Sequence, residues 1–245
     1  MKITLKAYAK INLMLDILSR LENGYHDLFM IMQSVSLYDT VSVEKTDSKD
    51  IAITCDVPSI PTDEKNIAHK AATAFFNYTG IENSGIVIDI KKSIPHAAGL
   101  AGGSTDGAAV IVALDKLFSA NLKEKDIIAI GSKVGADVPF CALGGTMLSQ
   151  YTGTVLSHLP DLELPYIIIT KPSQDVSTAE AYAAFDCAQR VRHLDKNGML
   201  HAVINGEKDK VLEKVGNVLE QIIDVTERVL IKDIMRKNAA ECACK

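Results

Sequence analysis

Pro95-His-Ala-Ala-Gly-Leu-Ala-Gly-Gly-Ser-Thr-Asp106 is the stretch on which the reading of this chain turns. Ahead of it, Ile86, Ile88 and Ile90 alternate with Val87 and Asp89, the period of two of a strand with one buried face. Behind it, an apolar run from Thr105 to Phe118 predicts a helix. Strand, glycine-rich loop and helix form one anion-binding unit. Gly99, Gly102 and Gly103 let backbone approach a ligand with no Cβ in the way. N–H groups at the helix start, with the helix dipole behind them, attract negative charge. Ser104 and Thr105 add hydroxyls within reach of a phosphate or its Mg2+. No Gly-Lys-Ser/Thr closes the loop, so it is not a Walker P-loop, and it does not fit Gly-x-Gly-x-x-Gly. Taken alone, a glycine-rich turn before a buried helix accounts for the same residues.

Moving outward, Ile3, Leu5 and Ala7 alternate with Lys2, Thr4 and Lys6, which predicts a strand over residues 2–8. Ile11, Leu13, Leu15 and Ile17 predict a second, and Glu22-Asn23-Gly24 a turn after it. Val41 with Val43, and Ile51 with Ile53, mark two more around a polar turn at Thr46–Asp50. A helix opens at Pro61 with Thr62 or Asp63 as cap and closes at Gly80. Another covers Lys123–Val134, followed by the turn Gly135-Ala-Asp-Val-Pro139 and a strand at about Gly145–Tyr151. Tyr166–Thr170 reads as a short buried strand and Ser177–Gln189 as a helix; from Leu200 onward the pattern is helical, interrupted at Gly206 and Gly216. The class is α+β, with domains expected at 1–155 and 156–245.

Bulk properties narrow the function. The chain has 245 residues, 47% apolar and 23% charged, ordinary for a globular enzyme. A net charge of −5 with no dense Lys/Arg run disfavours a nucleic-acid partner. No stretch approaches the roughly 20 apolar residues of a membrane span, and the first 20 residues lack a signal peptide's apolar core, so a cytoplasmic location is expected. Five cysteines at irregular spacing do not suggest a disulfide framework, and Cys242-Ala-Cys244 has no second pair to complete a zinc site.

Four ordered segments carry a resemblance. They are Ala7-Tyr-Ala-Lys-Ile-Asn-Leu13 with Asn23-Gly-Tyr-His-Asp27, the loop Pro95–Asp106, Gly135-Ala-Asp-Val-Pro-Phe-Cys141, and Lys171-Pro with Val176-Ser-Thr178. Together they resemble the GHMP kinases, and among these the member acting on a cytidine-diphosphate-linked methylerythritol in non-mevalonate isoprenoid synthesis. The resemblance runs over roughly residues 1–240. It implies a two-domain fold, with an N-terminal domain like domain 2 of ribosomal protein S5 and a ferredoxin-like C-terminal domain. It implies ATP and Mg2+, held at Pro95, His96, Ala97, Ala98, Gly99, Leu100, Ala101, Gly102, Gly103, Ser104 and Thr105. His96 is expected to be a loop residue, not a catalyst.

The resemblance also assigns roles. Asp137 would take the proton of the accepting hydroxyl, and Lys10 would hold that carboxylate and orient the hydroxyl. By residue type alone, both read as surface groups. Asn12 lies two residues beyond Lys10, on the same strand face, and reads either as a substrate contact or as an exposed edge polar. Tyr25 and His26 would recognise the cytidine, with Tyr182 as a second ring sandwiching the base; by its own pattern Tyr182 reads equally as a core aromatic. Thr178 would hydrogen-bond the substrate. One departure stands out: the family's third motif, a Gly-Ser-Gly-Pro-type loop, has no match after Asn238, where the chain reads Ala239-Ala-Glu-Cys-Ala-Cys-Lys245. A frameshift or shortened gene would explain it, and the alternative expectation is an inactive nucleotide-binding relic. A homoserine or mevalonate kinase is a further alternative, against which Asn23-Gly-Tyr-His26 argues.

Overall fold

Two long strands organise the molecule. In the computed structural model, which describes every residue except Pro165, 172–176, Gln189, 223–225, Ala239, Glu241 and 243–245, β1 spans Lys2–Arg20 and β2 spans His26–Lys45. The side chains of Thr178, Ala179, Thr226 and Arg228 lie outside the description. The two strands expected over residues 2–17 are one, because neither glycine nor proline interrupts the alternation between them. The chain divides into two compact units, Met1–Ile11 with Ser34–Gly144, and Asn12–Gln33 with Gly145–Lys245. A single boundary at 155 does not describe this, since β1 and β2 each contribute to both units.

The first unit continues with β3 (Ile51–Cys55), α1 (Ile67–Thr79), β4 (Ile86–Lys91), α2 (Gly102–Phe118), α3 (Glu124–Val134) and α4 (Val138–Leu143). Its sheet order is β3-β4-β2-β1. β4 runs antiparallel to β2, pairing Ile88 with Val43 and Ile90 with Val41, and parallel to β3, pairing Ile88 with Ile53. The period-two isoleucines thus fall on one face and are buried with Phe75, Ile111 and Leu114 from the helices. Each such side chain contributes roughly 1.5–3 kcal/mol.

α1 starts later than the sequence suggested. Asn66, not Thr62 or Asp63, caps it: its Oδ1 accepts from the Ala68 N–H at 2.8 Å and its Nδ2 donates to the Pro61 carbonyl at 2.6 Å. Asp63 is used in the preceding turn, accepting from the Lys65 N–H. Gly80 closes the helix in the left-handed region, as expected. Gly107 of α2 lets α1 approach, since a Cβ there would lie 2.8 Å from Ile67 Cγ2 and 3.4 Å from Ala71 Cβ. Gly107→Ala is therefore expected to cost about 1–3 kcal/mol, read as a lower urea midpoint, despite alanine's better helix propensity.

The second unit adds β5 (Thr146–Tyr151), β6 (Val155–His158), α5 (Thr178–Cys187), α6 (Lys196–Ile204), α7 (Lys208–Lys214), β7 (Gly216–Asn217) and α8 (Thr226–Lys237). Its strands follow the order β7-β1-β2-β5-β6. Asp16 of β1 is fully buried and accepts from the Leu194 N–H at 3.2 Å, with His193 Nδ1 at 3.1 Å. The buried strand expected at Tyr166–Thr170 is absent. Among the described residues nothing pairs with this segment, and Tyr166 is 93% and Ile168 74% exposed. An apolar run of five residues does not by itself specify a sheet partner. Among the described residues, no helix is long and apolar enough to cross a membrane.

Candidate active site

The glycine-rich loop sits where the sequence put it, between β4 and α2. Ile94 and Leu100 pin it into a small cluster with Ala9 of β1, and half-buried Ala98 packs against them; Pro95, His96, Ala97 and Gly99 are exposed. α2 begins at Gly102, three residues earlier than expected. Its cap position, Ala101, lies in the left-handed region at φ 59° and ψ 30° and offers no side chain to the helix start. Thr105 N–H is the first to bond back, to the Ala101 carbonyl at 2.9 Å. The amides of Gly102, Gly103 and Ser104 thus precede the helix's own bonding and are left for an anion.

The glycines divide in purpose. Gly99 has φ 72° and open space around it, as a ligand-facing turn requires. A Cβ on Gly102 would meet Ile94 Cγ2 at 3.2 Å and Lys92 Nζ at 3.3 Å, and one on Gly103 would meet Ile67 Cδ1 at 3.2 Å. These two serve the protein's own packing as much as ligand approach. Thr105 is buried and donates its hydroxyl to the Tyr8 carbonyl at 2.6 Å, which commits it to tying α2 to β1; half-buried Ser104 is the other hydroxyl of the pair. Ala97, at φ 53°, is a second alanine held left-handed. Ala101→Gly should relieve that cost and raise stability by about 0.5–1 kcal/mol, seen as a melting point a few degrees higher.

Behind the loop lies a charge cluster that sequence reasoning missed. Lys92 is buried and pairs with two buried carboxylates, Asp39 of β2 and Asp106 of α2, the latter at 2.7 Å. Asp39 Oδ1 also accepts from the N–H groups of Ser93 and Ile94, at 2.5 and 2.8 Å. Burial pushes the Asp106 carboxyl up to about 7, with Lys92 opposing and Asp39 adding to the rise. Its Oδ1 is buried with no partner among the described residues. Burial works against charge on Lys92 too, but the two carboxylates outweigh it and its pKa is raised.

Lys10 and Asp137 come together in the same unit. Lys10 Nζ lies 3.6 Å from Asp137 Oδ2, with the lysine side chain buried and the carboxylate about one-third exposed. Extended backbone at Gly135 delivers Asp137 to the start of α4, where its side chain makes no capping bond. The Lys10 N–H donates to the Leu100 carbonyl at 3.2 Å, tying the pair's strand to the glycine-rich loop. One turn beyond Asp137, the Cys141 thiol is pushed up to about 12, by burial first and by Asp137 next, so it stays protonated near neutrality.

Within the second unit, Asn12 is half-buried on β1. An Asx turn, Tyr25 N–H to Asn23 Oδ1 at 3.0 Å, leads into β2. His26 stacks on Tyr182 of α5 at 4.8 Å and 24°, meets Phe185 edge-on at 6.3 Å, and contacts Asp186 Oδ1 through Nε2 at 2.8 Å. Arg20 lies 3.3 Å from the other Asp186 oxygen. Tyr182, Phe185 and Asp186 stand at helical spacing, so one face of α5 serves His26. Tyr182 is stacked on His26, and Tyr25 is two-thirds exposed with no ring contact among the described residues. Pro172, Val176 and the side chain of Thr178 lie outside what is described.

Residues 66–145 match the family model for the GHMP kinases N-terminal domain. A 4-diphosphocytidyl-2-C-methyl-D-erythritol kinase of Clostridium perfringens is 42% identical over 238 residues, 96% of this chain and 82% of that protein. One from Caldicellulosiruptor bescii is 43% identical over 239 residues, 96% of this chain and 83% of that protein. The chain belongs to the GHMP kinase family. A crystal structure of 4-(cytidine 5'-diphospho)-2C-methyl-D-erythritol kinase superposes with a TM-score of 0.75 at 30% identity, covering 96% of this chain and 83% of that one. The homoserine kinase of Cytophaga hutchinsonii shares the fold, with a TM-score of 0.71 at 18% identity, covering 98% and 80%.

The region matched as a GHMP kinase domain holds the loop, Asp106 and Asp137, whereas Lys10, Asn12, Tyr25, His26 and Tyr182 lie outside it. Three residues of this GHMP kinase went unread in the sequence: Asp39, Lys92 and Asp186. Asp186 carried a usable signal, four residues after Tyr182 on the same helix. Asp39 and Lys92 carried none, because their partners are distant in the chain.

Proposed function

We propose that this GHMP kinase transfers the γ-phosphoryl group of ATP to the 2-hydroxyl of 4-diphosphocytidyl-2-C-methyl-D-erythritol, in the cytoplasm. The observation that carries it is the Lys10–Asp137 pair at 3.6 Å, tethered through Leu100 to a loop whose helix-start amides are open. Those amides, between Pro95 and Thr105, take the phosphates, and Ser104 adds its hydroxyl. The substrate's 2-oxygen attacks the γ-phosphorus, the bond to the ADP oxygen breaks, and the hydroxyl proton passes to the Asp137 carboxylate. Lys10 orients both the carboxylate and the incoming oxygen. Mg2+, when bound, neutralises phosphate charge. The half-buried Ser104 hydroxyl at the start of α2 would help to hold it, with phosphate oxygens as its other ligands.

His26 and Tyr182 receive the cytidine base, with Tyr25 as a further, exposed ring, and Asn12 and Thr178 contact the remainder of the substrate. The names of the relatives support this choice of substrate over homoserine or mevalonate. The test is ADP release from the purified protein with ATP, Mg2+ and each of the three alcohols. Turnover confined to the cytidine-linked alcohol is expected. Preference for an alcohol without cytidine, or nucleotide binding with no turnover of any, would overturn the reading.

A further inference from the structure

We propose that Asp186 makes this enzyme selective for a pyrimidine carrying an exocyclic amino group, by fixing which nitrogen of His26 bears the proton. The proposal rests on the reading that His26 and Tyr182 receive the base. Asp186 is held as an anion: its pKa is lowered, first by the hydrogen bond from His26, and Arg20 stands 3.3 Å from its second oxygen. A carboxylate only accepts, so the 2.8 Å contact at Nε2 needs a hydrogen there. A neutral imidazole has one N–H, which leaves Nδ1 as an acceptor. Among the described residues Nδ1 has no partner of its own.

The ring cannot exchange its nitrogens cheaply. It is stacked on Tyr182, flanked edge-on by Phe185, and its side chain is only 10% exposed. Turning it over would put the carbon Cε1 where Nε2 now sits and so surrender the Asp186 bond. The acceptor is therefore a fixed feature. Cytosine offers an amino group at carbon 4, which donates to such an acceptor. Uracil offers a carbonyl there, which places two lone pairs against each other and leaves both unsatisfied. Asp186 touches neither base nor reacting atoms; it is a positioning residue acting through His26.

The experiment compares the cytidine-linked substrate with the uridine-diphosphate analogue of the same alcohol. Wild-type enzyme should prefer cytidine in kcat/KM by about 100-fold or more, the scale of one unsatisfied buried polar pair. Asp186→Asn can donate or accept at Nε2, so both tautomers become available, and the preference should fall below about 10-fold. Asp186→Glu, which keeps the carboxylate, should restore most of it. A merely structural role for Asp186 would lower turnover of both substrates together and leave their ratio unchanged, and that result overturns the proposal. A second measurement does not depend on the variants: nitrogen-15 spectra of the wild-type His26 ring should show the hydrogen on Nε2, and a hydrogen on Nδ1 instead would overturn it. Failure of wild-type protein to turn over the cytidine-linked alcohol would strike the proposed function, whereas the tautomer measurement stands apart from it.

Discussion

Asp137→Asn should lower kcat by about 10²–10⁴-fold while leaving ATP affinity and the melting point close to wild type. The size follows from losing the only group in the proposal that removes the hydroxyl proton. The lack of a structural penalty follows from its surroundings. The carboxylate makes no capping bond to α4, is one-third exposed, and is nearly isosteric with the amide. Lys10 is left with a weaker partner but remains buried on β1. In the proposed function nucleotide affinity depends on the amides at the start of α2, which the substitution does not touch. Calorimetric titration with a non-hydrolysable ATP analogue, run beside the turnover assay, separates the two. Equal losses in affinity and turnover would mean that Asp137 shapes the phosphate loop and does not act as base.

The residues read correctly from sequence share a physical character. Ile86, Ile88 and Ile90 are buried on one face because period two is enforced locally by strand geometry. Gly80 ends α1 because a left-handed closing residue is a local demand. The place of the glycine-rich loop between β4 and α2 was legible since its glycines, its anchors Ile94 and Leu100, and its helix are contiguous. Lys10 and Asp137 were paired by resemblance alone; nothing in either residue's neighbourhood announces a partner 127 positions away (137 minus 10).

What escaped was non-local or short. Tyr166-Ile-Ile-Ile-Thr170 has the composition of a core strand, yet a strand is made by its neighbour, and among the described residues none is present. α4, six residues long, lies below the window in which helical periodicity accumulates, and Pro139 in its first turn looked like the end of a turn. β6 is mostly exposed and so had no apolar alternation to display. The cap of α1 was misplaced by three residues because Asp63 and Asn66 are both good caps, and only Asn66 also reaches back to Pro61.

Lys92→Met should be the most destabilising single change, and its effect should depend on pH. The substitution leaves Asp39 and Asp106 buried together with no cation, a situation that costs about 3–5 kcal/mol. Asp106 sets the pH dependence already in the wild type. Its folded pKa, about 7, lies above the unfolded value near 3.8, so between those limits the folded state binds more protons than the unfolded state. Stability therefore falls as pH rises from about 4 to about 7 and levels off above, by on the order of 4 kcal/mol for this group. The carboxylates with lowered pKa, Asp126, Asp186, Asp195 and Glu207, act the other way, but their contribution is present above their unfolded values and fades only as pH falls through the lowered ones, below this window. The raised Lys92 contributes below its unfolded value and is lost only in strong alkali. Asp106→Asn should consequently flatten the stability curve between pH 5 and 8, while Lys92→Met should steepen it. Urea midpoints at four pH values for the three proteins decide this: parallel curves for wild type and Asp106→Asn would show that Asp106 exchanges no proton on folding in this range, and that the cluster behind the phosphate loop is held fully ionised by Lys92.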